Sequence, residues 1–111
     1  MFDMFSMMGK LKEVQAKIKE AQDNLQFITV TAESGAGLVK AKVNGQRKLI
    51  SLDIDDSLLN KDDKDMVSDL VVAAVNKAMD EAGEKAKDEM KRHTEGLLPN
   101  IPGFDMSSLG I

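Results

Sequence analysis

The stretch 34–45 reads SGAGLVKAKVNG, and the fold turns on whether Gly35-Ala36-Gly37 cradles a phosphate or reverses the chain. A phosphate loop leads from a strand into a helix whose first amides point at the anion. Gly37 instead leads into LVKAKV, where Val39, Ala41 and Val43 alternate with Lys40 and Lys42 at the period of a strand. Before it lies FITVTAES, with Ile28, Val30 and Ala32 on one face and Phe27, Thr29 and Thr31 on the other. Gly-Ala-Gly is therefore predicted to be a turn between strands. Asn44-Gly45 closes the second strand and precedes RKLISLDID. Asn-Gly between alternating strands is a strong hairpin signal, because both turn residues take positive φ. Three consecutive antiparallel strands result.

On the N-terminal side, the apolar residues Met4, Met7, Leu11, Val14, Ile18, Ala21 and Leu25 recur at steps of three and four, which is a heptad seam. The spacing predicts a first helix with Lys10 and Lys17 beside the seam and Lys12 and Lys19 further round. Gly9 is its weak point, a candidate start or kink. Beyond the strands, a second helix is predicted from about Asp63 to Thr94, with no proline and only Gly83 as a mild interruption. Its first half, MVSDLVVAAVNKAM, is apolar around much of its circumference, as suits packing on a sheet. Its second half narrows to Ala82, Ala86 and Met90 among dense charge.

Length then bears on assembly. Thirty-two helical residues span about 48 Å, whereas a compact domain of this size has a radius of gyration of about 13 Å. The helix must protrude. A protruding Ala/Met stripe and a Met-rich seam find no cover in such a monomer, so Met7, Leu11, Val14, Ile18, Ala82, Ala86 and Met90 are expected to form a homodimer interface.

Between strand and helix, DSLLNKDDKD is acidic and rich in turn residues. Counted as a calcium loop from Asp53, it puts Leu58 where the glycine belongs and Lys64 where the bidentate glutamate belongs, so no metal is predicted. The aspartates instead suit the start of the second helix, with Asp62 or Asp63 as N-cap. The last stretch, GLLPNIPGFDMSSLGI, contains both prolines and lacks a helical or strand period. The chain thus divides into a single α+β domain, 1–95, and an apolar tail, 96–111, with little regular structure.

Composition narrows the chemistry. The 111 residues include no cysteine, which excludes disulfides and thiolate catalysis. His93 is the sole histidine, near a helix C-terminus where the dipole favours it, and the serines have no base beside them, so no enzyme and no cofactor are predicted. The N-terminus carries Asp3 and no basic leader, which fits neither a signal peptide nor a membrane span, and a soluble intracellular protein is expected. A membrane-surface helix is disfavoured by Asp3, Glu13, Glu20 and the absence of Trp.

Charge is sorted along the chain although the net value is only -4. Residues 38–50 hold Lys40, Lys42, Arg47 and Lys48 without an acid, while 53–65 hold six aspartates against two lysines. Across the Asn44-Gly45 turn, Lys42 faces Arg47 if the loop has two residues and Lys48 if it has three. Like charges in register destabilise a ladder, and either an anionic partner or splaying into solvent relieves them.

The order of elements, with SGAGLVKAKVNG, LISLDIDDSLL, DLVVAAVNKAMDEA and LLPNIPGF, resembles the YbaB/EbfC family of bacterial nucleoid-associated proteins over nearly the whole chain. The resemblance implies an α-β-β-β-α protein with a three-stranded antiparallel sheet, dimerised into a tweezer with projecting helices. It also implies DNA binding with little sequence preference, a place in the nucleoid, and a role in chromosome organisation and gene regulation. The projecting helices are the part the family associates with DNA, which here means Lys10, Lys12, Lys17 and Lys19, and Lys85, Lys87, Lys91 and Arg92; Lys40, Lys42, Arg47 and Lys48 of the sheet region complete the expected DNA-binding set. With no Trp or Tyr to stack on bases, double-stranded DNA held by its backbone is the expected partner. The alternative is a protein-interaction module that recruits a protein partner through the Met-rich first helix and the apolar tail.

Overall fold

A computed structural model of the chain describes residues 4–95; residues 1–3 and the tail, 96–111, lie outside them. Helix α1 (Met4–Asn24) passes through a 3-10 turn (Leu25–Phe27) into strands β1 (Thr29–Ser34), β2 (Val39–Asn44) and β3 (Leu49–Ile54). Two more 3-10 turns, Asp56–Leu58 and Lys61–Asp63, lead into helix α2 (Lys64–Thr94). The order is α-β-β-β-α, and the strands form one antiparallel sheet in the order β1-β2-β3. Helix α1 starts at Met4 and runs on through Gly9. With a radius of gyration of 20.0 Å and extents of 74 × 24 × 16 Å, the molecule is elongated, as the helix lengths require.

The two hairpins are built differently. At the first, Gly35, Ala36 and Gly37 have φ of 60°, 57° and 89°, and the Leu38 amide donates to the Gly35 carbonyl at 3.2 Å. Positive φ at both central residues makes it a primed turn, matched to the twist of the strands. The Gly-Ala-Gly stretch reverses the chain, as its neighbours in sequence predict.

The second hairpin departs from expectation. Gly45 does not take positive φ; Arg47 does, at 62°. The Arg47 amide donates to the Asn44 carbonyl at 3.0 Å and the Asn44 amide to the Lys48 carbonyl at 3.0 Å, which closes a three-residue loop with its last residue left-handed. Asn44 Oδ1 accepts from the amides of Gln46 and Lys48. A bulge between Lys42 and Val43 then puts Lys42 opposite Ser51 and Val43 opposite Leu49. Lys42 therefore faces neither Arg47 nor Lys48, and the predicted like-charge pairing does not arise. The glycine is needed for a tertiary reason: the Gly45 amide donates to the carbonyls of Leu25 and Ile28, and a Cβ there would stand 2.6 Å from the Leu25 carbonyl oxygen.

Helix α2 organises the interior through one row of residues four apart: Ala74, Ala78, Ala82, Ala86, Met90 and Thr94. All are buried except Ala86, which is half-buried. A row with that step winds around a helix at about 40° per step, because four residues exceed one turn of 3.6. The first three alanines meet Ala32, Val39, Ala41 and Val43 on the inner face of β1 and β2. Further along, Met90 and Ala86 meet Ile18, Ala21 and Leu25 of α1 and its following turn. Small residues let the helix lie close to the sheet, and the winding row carries it from sheet to helix.

This changes the basis of the expected dimer interface. Ala82 and Met90 are buried within the chain, at 0% and 1% exposure, and Ala86 and Ile18 pack in the α1–α2 contact. These four already have cover. Met7 and Leu11 are exposed and Val14 is half-buried, because α2 ends before that part of the seam.

The acidic connection is occupied with turns. Asp55 caps Asp56–Leu58, accepting from the Ser57 amide and hydroxyl, and these two bonds hold its carboxyl below the usual aspartate value. Asn60 caps Lys61–Asp63. Asp63 occupies the N-cap position of α2, but its side chain makes no cap bond and accepts from Asn60 Nδ2 at 2.6 Å instead. Asp62 lies within the preceding turn.

Candidate nucleic-acid interface

Among the described residues, helix α1 docks on α2 through its C-terminal half. Ile18, Ala21 and Leu25 dock on α2, and residues 4–14 continue beyond the end of α2 as an arm. The ten helical steps from Met4 to Val14 extend about 15 Å. Along 10–19, α1 carries Lys10, Lys12, Lys17 and Lys19 against Glu13 alone, a local balance of +3 (four minus one); all four lysines are exposed, Lys10 and Lys12 on the arm and Lys17 and Lys19 beside the docked Ile18. Lys17 borders a groove of about 220 Å³ with His93 and Glu95, where it lies beside the negative C-terminal end of α2.

The far end of α2 is different in sign. Residues 80–95 carry six acids and four bases, a balance of -2. Arg92 donates to Glu89 at 2.9 Å, and His93 Nε2 lies 2.9 Å from the same carboxylate, so the Arg92 charge is already partnered. Lys85, Lys87 and Lys91 are exposed. Lys87 lines a groove of about 640 Å³ together with Arg47, Asp80 and Glu84, a site with equal numbers of each charge.

The sheet lysines form a third group, on the outer face away from α2. Lys40 is in register with Glu33 on one side and Asp53 on the other, so its row is net negative. Lys42 lies between Thr31 and Ser51. Arg47 and Lys48 belong to the hairpin loop, where Arg47 crosses Gly83 with its Nη2 within 3.6 Å of where a side chain would begin. The twelve cationic candidates thus fall into three places rather than one. Of these, the α1 arm is the least neutralised.

One apolar surface emerges only in three dimensions. Helix α2 packs on β1 and β2, and β3 is left as an edge strand with Leu49, Ile50 and Leu52 exposed at 45%, 49% and 38%. The adjacent pair Leu49-Ile50 is its trace in the sequence, since a strand with one buried face does not place two large apolar residues in succession. Among the described residues, no helix is long and apolar enough to cross a membrane.

The fold is a small α+β body with a long helix that bears exposed lysines, and likeness to known proteins places it. The sequence profile of the YbaB/EbfC DNA-binding family matches residues 1–97, and the chain belongs to that nucleoid-associated, DNA-binding family. It is 46% identical to the "Nucleoid-associated protein" of Chlorobaculum parvum, over 83% of this chain and 81% of that one. It is 41% identical to "Nucleoid-associated protein Teth39_2199" of Thermoanaerobacter pseudethanolicus, over 93% and 91%. Among solved structures, "uncharacterized protein HP0035" from Helicobacter pylori has the same fold, with a TM-score of 0.69, 27% identity, and 79% of this chain and 92% of that one covered.

Proposed function

We propose that the chain acts in the nucleoid as a homodimer that grips double-stranded DNA by its phosphates with little sequence preference, and so contributes to chromosome organisation and gene regulation. The observation that carries this is the basic stretch of α1: four exposed lysines against one acid along 10–19, with Lys10 and Lys12 on the arm beyond the end of α2. Lysines are flexible point charges suited to phosphate contact, and they release counterions without reading base edges. Two arms, one per protomer, would hold the duplex between them. The uncovered Leu49, Ile50 and Leu52 of β3 support a two-fold interface through the sheet, which leaves both arms free.

A salt titration tests the reading. Gel shifts with a short duplex of arbitrary sequence are expected to show binding at low salt that weakens steeply as salt rises. Reversing the charge of Lys10, Lys12, Lys17 and Lys19 together is expected to abolish it. Binding that survives the reversal, or no binding even at low salt, would defeat the proposal.

A further inference from the structure

We infer that the groove of about 640 Å³ between the β2–β3 loop and α2 receives the connection 56–61 of a second copy of this chain, head to tail, so that copies join in an open row. Two residues that break local rules meet in this groove. Arg47 holds a left-handed backbone at φ 62°, and Gly83 interrupts the middle of α2; each choice costs stability where it stands. They lie together, with Arg47 Nη2 3.6 Å from where a Gly83 side chain would begin. Such joint exceptions mark places that serve binding. Among the described residues Arg47 makes no ion pair, although Asp80 and Glu84 border the same groove.

The lining states what the occupant must offer. Leu25, Met79, Ala86 and Met90 supply apolar surface, while Arg47 and Lys87 bring two positive charges and Asp80 and Glu84 two negative ones. Met and Arg are residues that protein interfaces favour, whereas two carboxylates oppose a uniform polyanion such as DNA. The matching partner carries an apolar anchor with one charge of each sign beside it.

The connection 56–61 has that form. Leu58 is 5% exposed and fixes it to the core, while the next residue, Leu59, is 63% exposed. Leu59 sits at the centre of a tight turn, φ -85° and ψ 66°, across which the Asn60 amide donates to the Leu58 carbonyl at 3.0 Å. Ser57 donates to Asp55, and Asn60 Nδ2 donates to the Ser57 carbonyl and to Asp63, so the loop holds its shape before it docks. Exposed Asp56 and Lys61 flank the leucine. Their five steps cover about 10 Å at the rise of 3-10 structure, and Asp80 to Lys87 spans about 10.5 Å of α2. Asp56 then meets Arg47 and Lys87, Lys61 meets Asp80, and Leu59 enters between them. The wider charge agrees, with six aspartates against two lysines in 53–65 and four cations without an acid in 38–50. Nineteen helical steps from Lys64 to Gly83 put about 29 Å between connection and groove, so a chain does not fill its own. A contact between unlike surfaces leaves one of each open at the ends of the row.

Sedimentation of the full chain at low salt, without DNA, tests this. The weight-average size is expected to keep rising with concentration, and the rise is expected to vanish in Leu59→Asp and in Arg47→Glu. Both residues are exposed, so neither change removes a core contact. Mixing the two variants is expected to restore association, since each supplies the surface the other lacks. A pair closed through β3 stops at two copies, which keeps this contact distinct from that one. A size that levels off at two copies or fewer overturns the inference. Growth that survives in Leu59→Asp, or a mixture that associates no better than its parts, overturns it as well.

Discussion

Gly45 approaches Leu25 so closely that a methyl group on its α-carbon would stand 2.6 Å from the Leu25 carbonyl oxygen. The β2–β3 loop and the turn after α1 are joined there by backbone alone. Gly45→Ala is therefore expected to cost about 2–3 kcal/mol, the scale of overpacking at a site that cannot give way. Gly37→Ala, where a Cβ meets only the Glu33 carboxylate at 3.6 Å, is expected to cost about 1–2 kcal/mol, from its left-handed backbone. Denaturant unfolding of both variants measures the difference.

Met90 is the pin between the helices. It is 1% exposed against Ala21 and Leu25. Met90→Ala should lose about 2–5 kcal/mol and release α1 from α2. Hydrogen exchange is expected to accelerate in α1 much more than in the sheet.

The three cationic groups should contribute unequally to DNA affinity. Replacing Lys10, Lys12, Lys17 and Lys19 by Gln in both protomers should flatten the plot of log affinity against log salt by about 7 units, near 0.9 for each of eight phosphates no longer neutralised. Lys40→Gln should change the slope little, since Glu33 and Asp53 flank Lys40 in register. Arg92→Gln should behave like Lys40→Gln, because Glu89 already partners Arg92.

Ile50 probes assembly. It is half-exposed on the edge strand, so Ile50→Lys is expected to alter the stability of the subunit by less than about 1 kcal/mol while shifting a dimer to monomers in sedimentation. An unchanged dimer would move the interface away from β3.

Asp55 gives a pH signature. Bonds from the Ser57 hydroxyl and amide lower its pKa from 3.8. A depressed carboxylate pKa means stability that is fully present above the unfolded value and lost as pH falls through the folded one. The contribution therefore disappears in acid below pH 3.8. Carboxyl NMR titration should place Asp55 below 3.8, and Ser57→Ala should raise it.

The sequence exposes the elements whose signal is local and hides those set by contact. Alternation in LVKAKV and the heptad steps from Met4 to Leu25 are properties of single elements, and both match the structure. The seam, however, does not say what it meets. Its C-terminal half meets α2 of the same chain, so Ala82, Ala86 and Met90 are uncovered only when each helix is read alone. Gly45 belongs to a hairpin, as Asn-Gly predicts, but not through positive φ; its constraint comes from Leu25, twenty positions away. The bulge at Lys42/Val43 shifts β3 and so decides which residues the lysines face, and no periodicity reveals a one-residue slip. The lysines of α1 are legible as a basic helix; that α2 stops short and leaves Lys10 and Lys12 projecting is not.

Gly9 has a mechanical effect. It lies inside α1, and a side chain built on it would touch nothing within 4 Å, so no neighbour requires its bareness. Glycine in mid-helix costs about 0.5–1 kcal/mol relative to alanine, chiefly in backbone entropy. The arm is thus stiff where α2 braces it and pliant near its end. When it closes on a curved surface, the last turns can bend to the contour while the anchored portion keeps its aim.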